Sequence, residues 1–192
     1  MSGKDRPTDK RNAILDAALE LIAERGFHDT PVSMIAKVSG VSAGIIYHYF
    51  DSKDELIQVL YGEVKLDMLR RVGEGYSSDL PYRERYDRLW SNSVDYVISH
   101  PKQMRFLEQF ENSSYLKPTL PHAVLVEIER LVGFYSAGTA DGVLKDLPPA
   151  VLISMSVGVA AALAKQHVGG AVVLDDELSS ASARACWEAI SI

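Results

Sequence analysis

Residues 30–56, TPVSMIAKVSGVSAGIIYHYFDSKDEL, contain the signals that decide the fold of this 192-residue chain. Thr30 and Pro31 predict the start of a helix, because a hydroxyl cap followed by proline suits a first helical turn. Gly40 predicts a tight turn that ends this helix. Another short helix follows from Ser42, so the stretch predicts two helices joined by a glycine turn, the arrangement of a helix-turn-helix unit.

The short helix from Ser42 to about Phe50 has two chemically different sides when it is wound at about 100° per residue. Ile46 and Phe50 fall on one side and predict an anchor in the protein interior. The other side has small or ring-bearing residues and no carboxylate: Ala43, Gly44, Tyr47 and His48. Such a surface suits a DNA groove, which needs little bulk at the first turn and hydrogen-bonding rings further along. The alternative is that Tyr47 and Tyr49 pack in the protein interior.

A capping box at Ser52 and Glu55 opens the next, longer helix, and Lys53 occupies its first turn. The helix dipole disfavours a cation at this position, whereas a phosphate would satisfy both the ammonium and the free backbone amides. We therefore expect Lys53 to hold a DNA phosphate. The alternative is a solvated surface lysine.

The remaining sequence also predicts helices. Upstream, apolar residues from Ile14 to Ile22 recur at the spacing of an amphipathic helix that ends at Gly26. Downstream, prolines separate long helical segments, and no pattern of strands recurs. The fold class is therefore all-α, with about nine helices in two domains. Residues 9–56 form an N-terminal three-helix helix-turn-helix domain, and residues 57–192 form a larger helical domain.

The net charge of −6 does not favour DNA binding, but it is unevenly distributed. Through Lys53 the chain carries seven basic and seven acidic side chains, so the negative excess lies entirely in the rest. A neutral N-terminal part with a local basic face is compatible with DNA. Cys186 is the single cysteine, which excludes a disulfide framework and a cysteine zinc site. We expect a cytoplasmic protein without a metal or another cofactor.

No pattern favours catalysis or a membrane span. The five histidines are scattered, and the sequence has neither a phosphate-binding glycine loop nor a serine nucleophile elbow. The longest uncharged apolar run, Ala150–Ala164, is shorter than the roughly 18–20 residues that cross a bilayer. We therefore expect a protein that is not an enzyme and that does not contact a membrane.

Residues 30–56 resemble the DNA-binding segment of the TetR family of bacterial transcriptional regulators. The likeness extends upstream to Ala13, Ala17 and the helix end at Gly26, and the turn glycine, the tyrosine and the lysine keep the family spacing. The resemblance implies that nine residues contact an operator on double-stranded DNA: Thr30, Ser33, Ser42, Ala43, Gly44, Tyr47, His48, Tyr49 and Lys53.

The same resemblance implies a homodimer whose C-terminal domain binds a small-molecule effector. Aromatic and polar residues of the middle helices would line the effector pocket: Tyr86, Trp90, Met104, Phe106, Gln109, Phe110 and Phe134. Apolar residues of the last two helices would form the dimer interface: Leu152, Met155, Val159, Leu163 and Trp187. The alternative for both sets is the monomer's own core, where apolar residues at helical spacing usually pack.

These expectations describe a ligand-responsive transcriptional repressor that binds a pseudo-palindromic operator as a dimer and is released by a small hydrophobic or amphipathic effector. Two alternatives remain open. One is a helical-bundle protein that binds a small molecule without binding DNA, and the other is a DNA-binding regulator without a small-molecule ligand. DNA binding would exclude the first alternative, and a collapsed interior would favour the second.

Overall fold

The computed structural model describes residues 7–115 and 120–192, which form ten α-helices and no β-strand. In chain order the helices are α1 (Pro7–Arg25), α2 (Val32–Ser39), α3 (Ala43–Tyr49), α4 (Lys53–Val72), α5 (Tyr82–Ser99), α6 (Pro101–Glu111), α7 (His122–Ala140), α8 (Pro149–Ser154), α9 (Val157–Val168) and α10 (Asp176–Ile190). An isolated β-bridge joins Leu144 to Ser191. The all-α fold class is confirmed.

The described residues contain one helix more than we expected, because an interruption separates α8 from α9. Met155 and Ser156 break what the sequence predicts as a single helix. The Ser156 hydroxyl is buried and donates to the Leu152 carbonyl, and Tyr135 Oη lies 2.7 Å from Ser156 Oγ. A serine side chain that bonds to its own backbone competes with the helical hydrogen-bond ladder, which accounts for the break.

The interrupted segment is apolar over its whole length. By length and composition alone, Pro149–Val168 could cross a membrane, with a mean hydropathy of 1.4. The expectation that this region is too short to do so is therefore wrong. Within the chain, 28% of the most apolar 18-residue window of this segment is buried. An apolar surface of this kind normally has a partner that covers it.

The chain divides into two compact units. One contains the described residues of Met1–Lys65 and Lys102–Leu120, and the other contains Leu66–Pro101 and Pro121–Ile192. The helix α4 contributes residues to both units, and α6 adds to the unit that contains α1, α2 and α3. The domain boundary that we predicted, between residues 56 and 57, falls inside α4.

The N-terminal unit has an apolar core to which each of its helices contributes. Ile14 of α1 and Ile35 of α2 are fully buried there. The helix α6 contributes Phe106 and Phe110, and the Phe110 ring stacks on the Tyr61 ring at 3.9 Å between centres. Helix α3 contributes the buried Ile46, and α1, α2 and α3 all contact one another, so the three helices form one body.

The C-terminal unit is built around α5, which packs along α9. Ala160 and Ala164 of α9 are fully buried, and their small side chains let the two helices approach closely. Tyr86 of α5 is also buried, and its hydroxyl donates to the Ala183 carbonyl of α10 at 3.0 Å. Helix α5 therefore contacts both α9 and α10 in one core.

Candidate nucleic-acid interface

The turn between α2 and α3 depends on Gly40, the residue that ends α2. Its φ of +72° lies in the left-handed region, which residues with a Cβ rarely adopt. The N–H groups of Gly40 and Val41 both donate to the Ala36 carbonyl, as in many helices that end at a glycine. The predicted glycine turn is therefore present, and α3 begins after three intervening residues.

Ser42 caps α3. Its Oγ accepts a hydrogen bond from the Ile45 N–H at 3.3 Å, which satisfies one of the free donors of the first helical turn. Loss of such a cap typically costs about 0.5–2 kcal/mol. The exposed Ser42 side chain thus fixes the start of the helix at the point where we predicted its contact with DNA.

Helix α3 has a buried side and an exposed side, as its sequence predicts. Ile46 is 1% exposed and Phe50 is 2% exposed, and burying each contributes about 1.5–3 kcal/mol to holding the helix in place. The side chains on the opposite face are exposed: Ala43, Gly44, Tyr47 and His48. Tyr47 is 53% exposed, so its phenol is available to another molecule.

Two further residues of the predicted interface are partly covered. Tyr49 is half-buried, with its ring 5.4 Å from the His48 ring. The Lys53 ammonium donates to the Phe27 carbonyl just beyond the end of α1. Partial burial lowers the pKa of Lys53 from its ordinary value, and the neighbouring Asp54 carboxylate counteracts that effect. Because an ammonium has three N–H donors, two are left for a phosphate.

Thr30 is placed differently from our expectation. Its side chain is fully buried, and Oγ1 donates to the Gly26 carbonyl at 2.8 Å. Pro31, not Thr30, occupies the cap position of α2, where no side chain makes a cap bond. Thr30 therefore connects the end of α1 to the start of α2 instead of facing a phosphate. Ser33, by contrast, is exposed on the first turn of α2.

A cleft of about 360 Å³ lies beside the N-terminus of α3, and the sequence did not reveal it. Residues from α1 and from the turn before α3 line the cleft: Asp9, Lys10, Ala13, Ser39, Gly40, Val41, Ser42 and Ile45. Lys10 and Asp9 bring one cation and one carboxylate to the walls of this cleft. In the sequence, the signal for this cleft is a basic residue on the first turns of the N-terminal helix. Without the fold, that signal is too weak to predict a cleft.

The residues that we predicted to line one effector pocket are divided between the two units. Four lie on α6 in the N-terminal unit: Met104, Phe106, Gln109 and Phe110. In the C-terminal unit the Tyr86 hydroxyl and the Trp90 indole N–H donate to Ala183 and Ser179 of α10, so both rings belong to the core. Phe134 is the member of the set that lines a cavity in this unit.

The cavity beside Phe134 is formed by α4, α5, α7 and the segment that follows α4. Its walls are mostly apolar: Leu69, Val72, Gly73, Tyr76, Leu89, Glu127, Arg130, Leu131 and Phe134. The Arg130 guanidinium donates to the Gly73 carbonyl and to Glu127. The free space inside is about 10 Å³, comparable to one water molecule, so the cavity is nearly closed.

The predicted dimer-interface residues differ in exposure. Leu152 is fully buried within its own chain, so it is not available to a second copy, and we correct its assignment. The other four are partly exposed: Met155, Val159, Leu163 and Trp187. The Trp187 ring also contacts the Tyr86 ring, with 5.1 Å between centres.

The described residues contain no group of three or more His, Cys, Asp or Glu side chains that could hold a metal ion. Burial raises the pKa of the Cys186 thiol. A thiol with a raised pKa carries little thiolate at neutral pH and is a poor nucleophile.

The fold and the exposed face of α3 define the class of the protein, an all-α helix-turn-helix protein with a helical C-terminal unit. Two family models match the chain. "Bacterial regulatory proteins, tetR family" matches residues 14–60, and "Tetracyclin repressor-like, C-terminal domain" matches residues 81–191. The chain belongs to the TetR family of helix-turn-helix transcriptional regulators, which confirms the predicted resemblance.

Relatives along the whole chain agree with this assignment. An HTH-type transcriptional regulator from Haemophilus influenzae is 25% identical over 183 residues, which cover 95% of this chain and 96% of that protein. BetI from Burkholderia thailandensis, also an HTH-type regulator, is 30% identical over 165 residues, 85% of this chain and 82% of that protein. A TetR family regulator from Marinobacter aquaeolei shares the fold, with a TM-score of 0.89, 23% identity and 96% coverage of both chains. Members of this family are DNA-binding regulators and not enzymes.

Thr30→Val is expected to lower the free energy of unfolding by about 1–3 kcal/mol, because the Gly26 carbonyl loses its donor. Urea unfolding followed by circular dichroism measures the change. Ser33→Ala is the matched control, since Ser33 is exposed, and is expected to change stability by no more than about 0.5 kcal/mol. Equally small changes in the two variants would show that Thr30 does not have the structural role assigned to it.

Proposed function

We propose that this protein is a ligand-responsive repressor that binds a pseudo-palindromic operator as a homodimer. The observation that carries the proposal is the exposed side of α3, where Tyr47 is 53% exposed on a helix anchored by the buried Ile46 and Phe50. A short, firmly anchored helix with an exposed ring and no carboxylate suits insertion into the major groove.

The exposed and partly covered residues of the proposed interface divide into those that reach bases and those that hold phosphates. Ala43 and Gly44 let the α3 backbone approach the groove floor, because neither has bulk, and the Ala43 methyl suits contact with a thymine methyl. Tyr47 and His48 supply hydrogen-bonding groups further along. The flanking side chains position the protein on phosphates: Ser33, Ser42, Tyr49 and Lys53. With so few base-reading groups, discrimination depends in part on DNA shape.

The proposed dimer is supported by the two different faces of α9. Ala160 is buried on one face, whereas Gly158 and Ala162 are exposed on the other. Val159 and Leu163 border this small-residue face and are half-exposed. Two copies of such a face can pack closely across a two-fold axis and cover the apolar surface of α8 and α9. The dimer would place two α3 helices on half-sites about 10–10.5 base pairs apart, or a small multiple of that.

Regulation is proposed as an equilibrium between two conformations of the dimer. In one, both α3 helices fit successive major grooves, and in the other their spacing does not fit. Helix α4 is continuous from Lys53 to Val72 and contributes to both units, so we assign to it the transmission of the change. A small hydrophobic or amphipathic effector shifts the equilibrium by its higher affinity for the conformation that does not bind DNA.

The nearly closed cavity beside Phe134 favours a second candidate, a DNA-binding regulator controlled by a protein partner. With a free space of about 10 Å³, the cavity admits an effector only if side chains move. The two candidates differ in one property: small molecules change operator affinity in the first and not in the second. Membership of the TetR family argues against the third interpretation, a small-molecule binding protein that does not bind DNA.

Tyr47→Ala is expected to weaken operator binding about 5- to 150-fold, since a good base contact is worth about 1–3 kcal/mol. A mobility-shift titration measures it, with a duplex recovered from genomic fragments by the purified protein. The unfolding midpoint should stay unchanged because Tyr47 is exposed. Val126→Ala, at a 46% exposed position of α7, is the control for surface truncation. A folded Tyr47→Ala protein with full operator affinity would remove Tyr47 from the interface.

Ala162→Glu is expected to convert the dimer into a monomer, because the new carboxylate would be buried without a partner in the interface. Sedimentation velocity at micromolar concentration measures the change. Ala123→Glu, at an exposed position in the first turn of α7, should leave the dimer intact. A wild-type chain that sediments as a monomer, or an Ala162→Glu protein that remains a dimer, would contradict the proposed interface.

A further inference from the structure

Arg85, in the first turn of α5, is a buried cation. The residue is 8% exposed, and its Nε has no hydrogen-bond partner among the described residues. The nearby carboxylates of the same helix are engaged by other cations. Glu84 pairs with Arg88 at 3.0 Å. Asp87 pairs with Arg83 at 2.9 Å. Within the described part of the chain, Arg85 thus lacks the carboxylate that normally accompanies a buried guanidinium.

Aromatic rings surround the Arg85 guanidinium instead. Its Cζ lies 3.8 Å from the centre of the Tyr82 ring, and the Phe134 and Tyr76 rings lie 5.8 Å and 6.0 Å away. The hydroxyl of Tyr82 donates to Asp141 at 2.6 Å and also interacts with Arg85, so the phenol links the Asp141 carboxylate to Arg85 without a direct ion pair between them. The faces of aromatic rings offset part of the free-energy cost of removing a cation from water, but they do not neutralise its charge.

Arg85 lies near the N-terminus of α5, where the helix dipole adds to the positive potential around its guanidinium. The cap residue of α5 is Pro81, whose side chain makes no cap bond. The positive end of the helix dipole therefore lies beside a cation, a combination that by itself disfavours the folded state. An anion placed here would interact favourably with both the helix end and the guanidinium.

Tyr76 and Phe134 connect Arg85 to the nearly closed cavity, because both rings lie against the guanidinium and both line the cavity. The bond from Arg85 Nη1 to the Tyr76 hydroxyl is 3.5 Å long, at the limit for a hydrogen bond. It is therefore a weak bond that a stronger acceptor can replace. Tyr76 lies in the segment between α4 and α5, outside the regular helices.

The rest of the cavity suits an apolar chain. Its walls are formed by the aliphatic side chains of Leu69, Val72, Leu89 and Leu131. Its one carboxylate, Glu127, pairs with Arg130 at 3.4 Å and with Arg70 at 3.6 Å, so its negative charge is compensated. Arg130 is 43% exposed and can move outward to admit a ligand. The cavity thus combines apolar walls with a buried cation behind them that has no direct ion pair in the described residues.

We propose that the effector is an amphipathic monocarboxylic acid whose carboxylate pairs with Arg85 and whose apolar chain fills the cavity beside Phe134. The carboxylate replaces the Tyr76 hydroxyl as the acceptor for Arg85, and Tyr76 moves aside. This inference rests on the proposed function as a ligand-responsive regulator. Beyond that function, the inference specifies that the effector carries a negative charge and that Arg85 recognises this charge.

Isothermal titration calorimetry with octanoate, octan-1-ol and octylammonium tests the proposal on the full-length protein. We expect octanoate to bind the wild-type protein more tightly than either analogue. Arg85→Met is expected to weaken octanoate binding at least about tenfold, equivalent to about 1.4 kcal/mol, and to leave the binding of octan-1-ol unchanged. Arg83→Met is the matched control on the same helix turn and should bind octanoate like the wild type.

Arg85→Met is also expected to unfold at the same or a higher temperature than the wild type without ligand, because it removes a buried cation that makes no direct ion pair and whose Nε has no partner in the described residues. If this variant does not fold, Arg85→Lys keeps the charge but not the planar stacking, and it should still prefer octanoate to octan-1-ol. Equal octanoate affinity in the wild type and Arg85→Met, or equal affinity of the wild type for the three probes, would overturn the proposal.

A measurement of operator binding tests the proposed regulator function independently of the proposed carboxylate site. A mobility shift of the wild-type protein without any ligand reports whether the protein binds DNA. If no operator is bound but octanoate binding depends on Arg85, the regulator assignment fails and the carboxylate site stands. If operator binding is normal and octanoate binding does not depend on Arg85, the carboxylate site fails alone.

Discussion

The left-handed backbone at Gly40 is the constraint on which the DNA-facing part of the structure depends. With φ at +72°, Gly40 ends α2 and lets α3 begin after three residues, so the two helices form a helix-turn-helix unit and not one continuous helix. Ile46 and Phe50 then anchor α3 to the core, and its opposite face is exposed. The available surface of α3 is thus a consequence of one turn and two buried side chains.

The C-terminal unit combines close packing with features that its own chain leaves incomplete. Ala160 and Ala164 bring α9 close to α5, while Gly158 and Ala162 leave the other face of the same helix uncovered. In the same unit, Arg85 is buried, its Nε has no hydrogen-bond partner, and it makes no direct ion pair in the described residues. We propose a second copy of the chain and an acidic ligand as the respective partners that complete these two features.

The sequence was most informative where the signal is local. The two sides of α3 and the glycine turn before it depend on a few consecutive residues, and both are present. Features that depend on distant contacts were not predictable. Thr30 can be buried because its hydroxyl donates to the Gly26 carbonyl, a contact that only the fold shows. Phe110 looks like any aromatic residue at helical spacing, and its stacking on Tyr61 is what assigns it to the N-terminal core.

Arg85 shows the same limit for the proposed effector site. In the sequence it is one of several arginines in a charged stretch, and nothing distinguishes it from Arg83 or Arg88. Its neighbours pair with carboxylates one turn away along α5, whereas Arg85 points into the core, and that difference is a property of the fold. The break at Ser156 is similar, because its hydroxyl is buried against Tyr135 of another helix.

Photo-crosslinking tests the central claim most directly, since it reports which surface of the protein touches DNA. With p-benzoylphenylalanine in place of Tyr47, we expect crosslinks to bases within the operator half-sites. The same group in place of Val168, a 46% exposed residue at the end of α9, should give none. Crosslinks from position 168, or operator binding without any crosslink from position 47, would contradict the assignment of α3 as the DNA-reading helix.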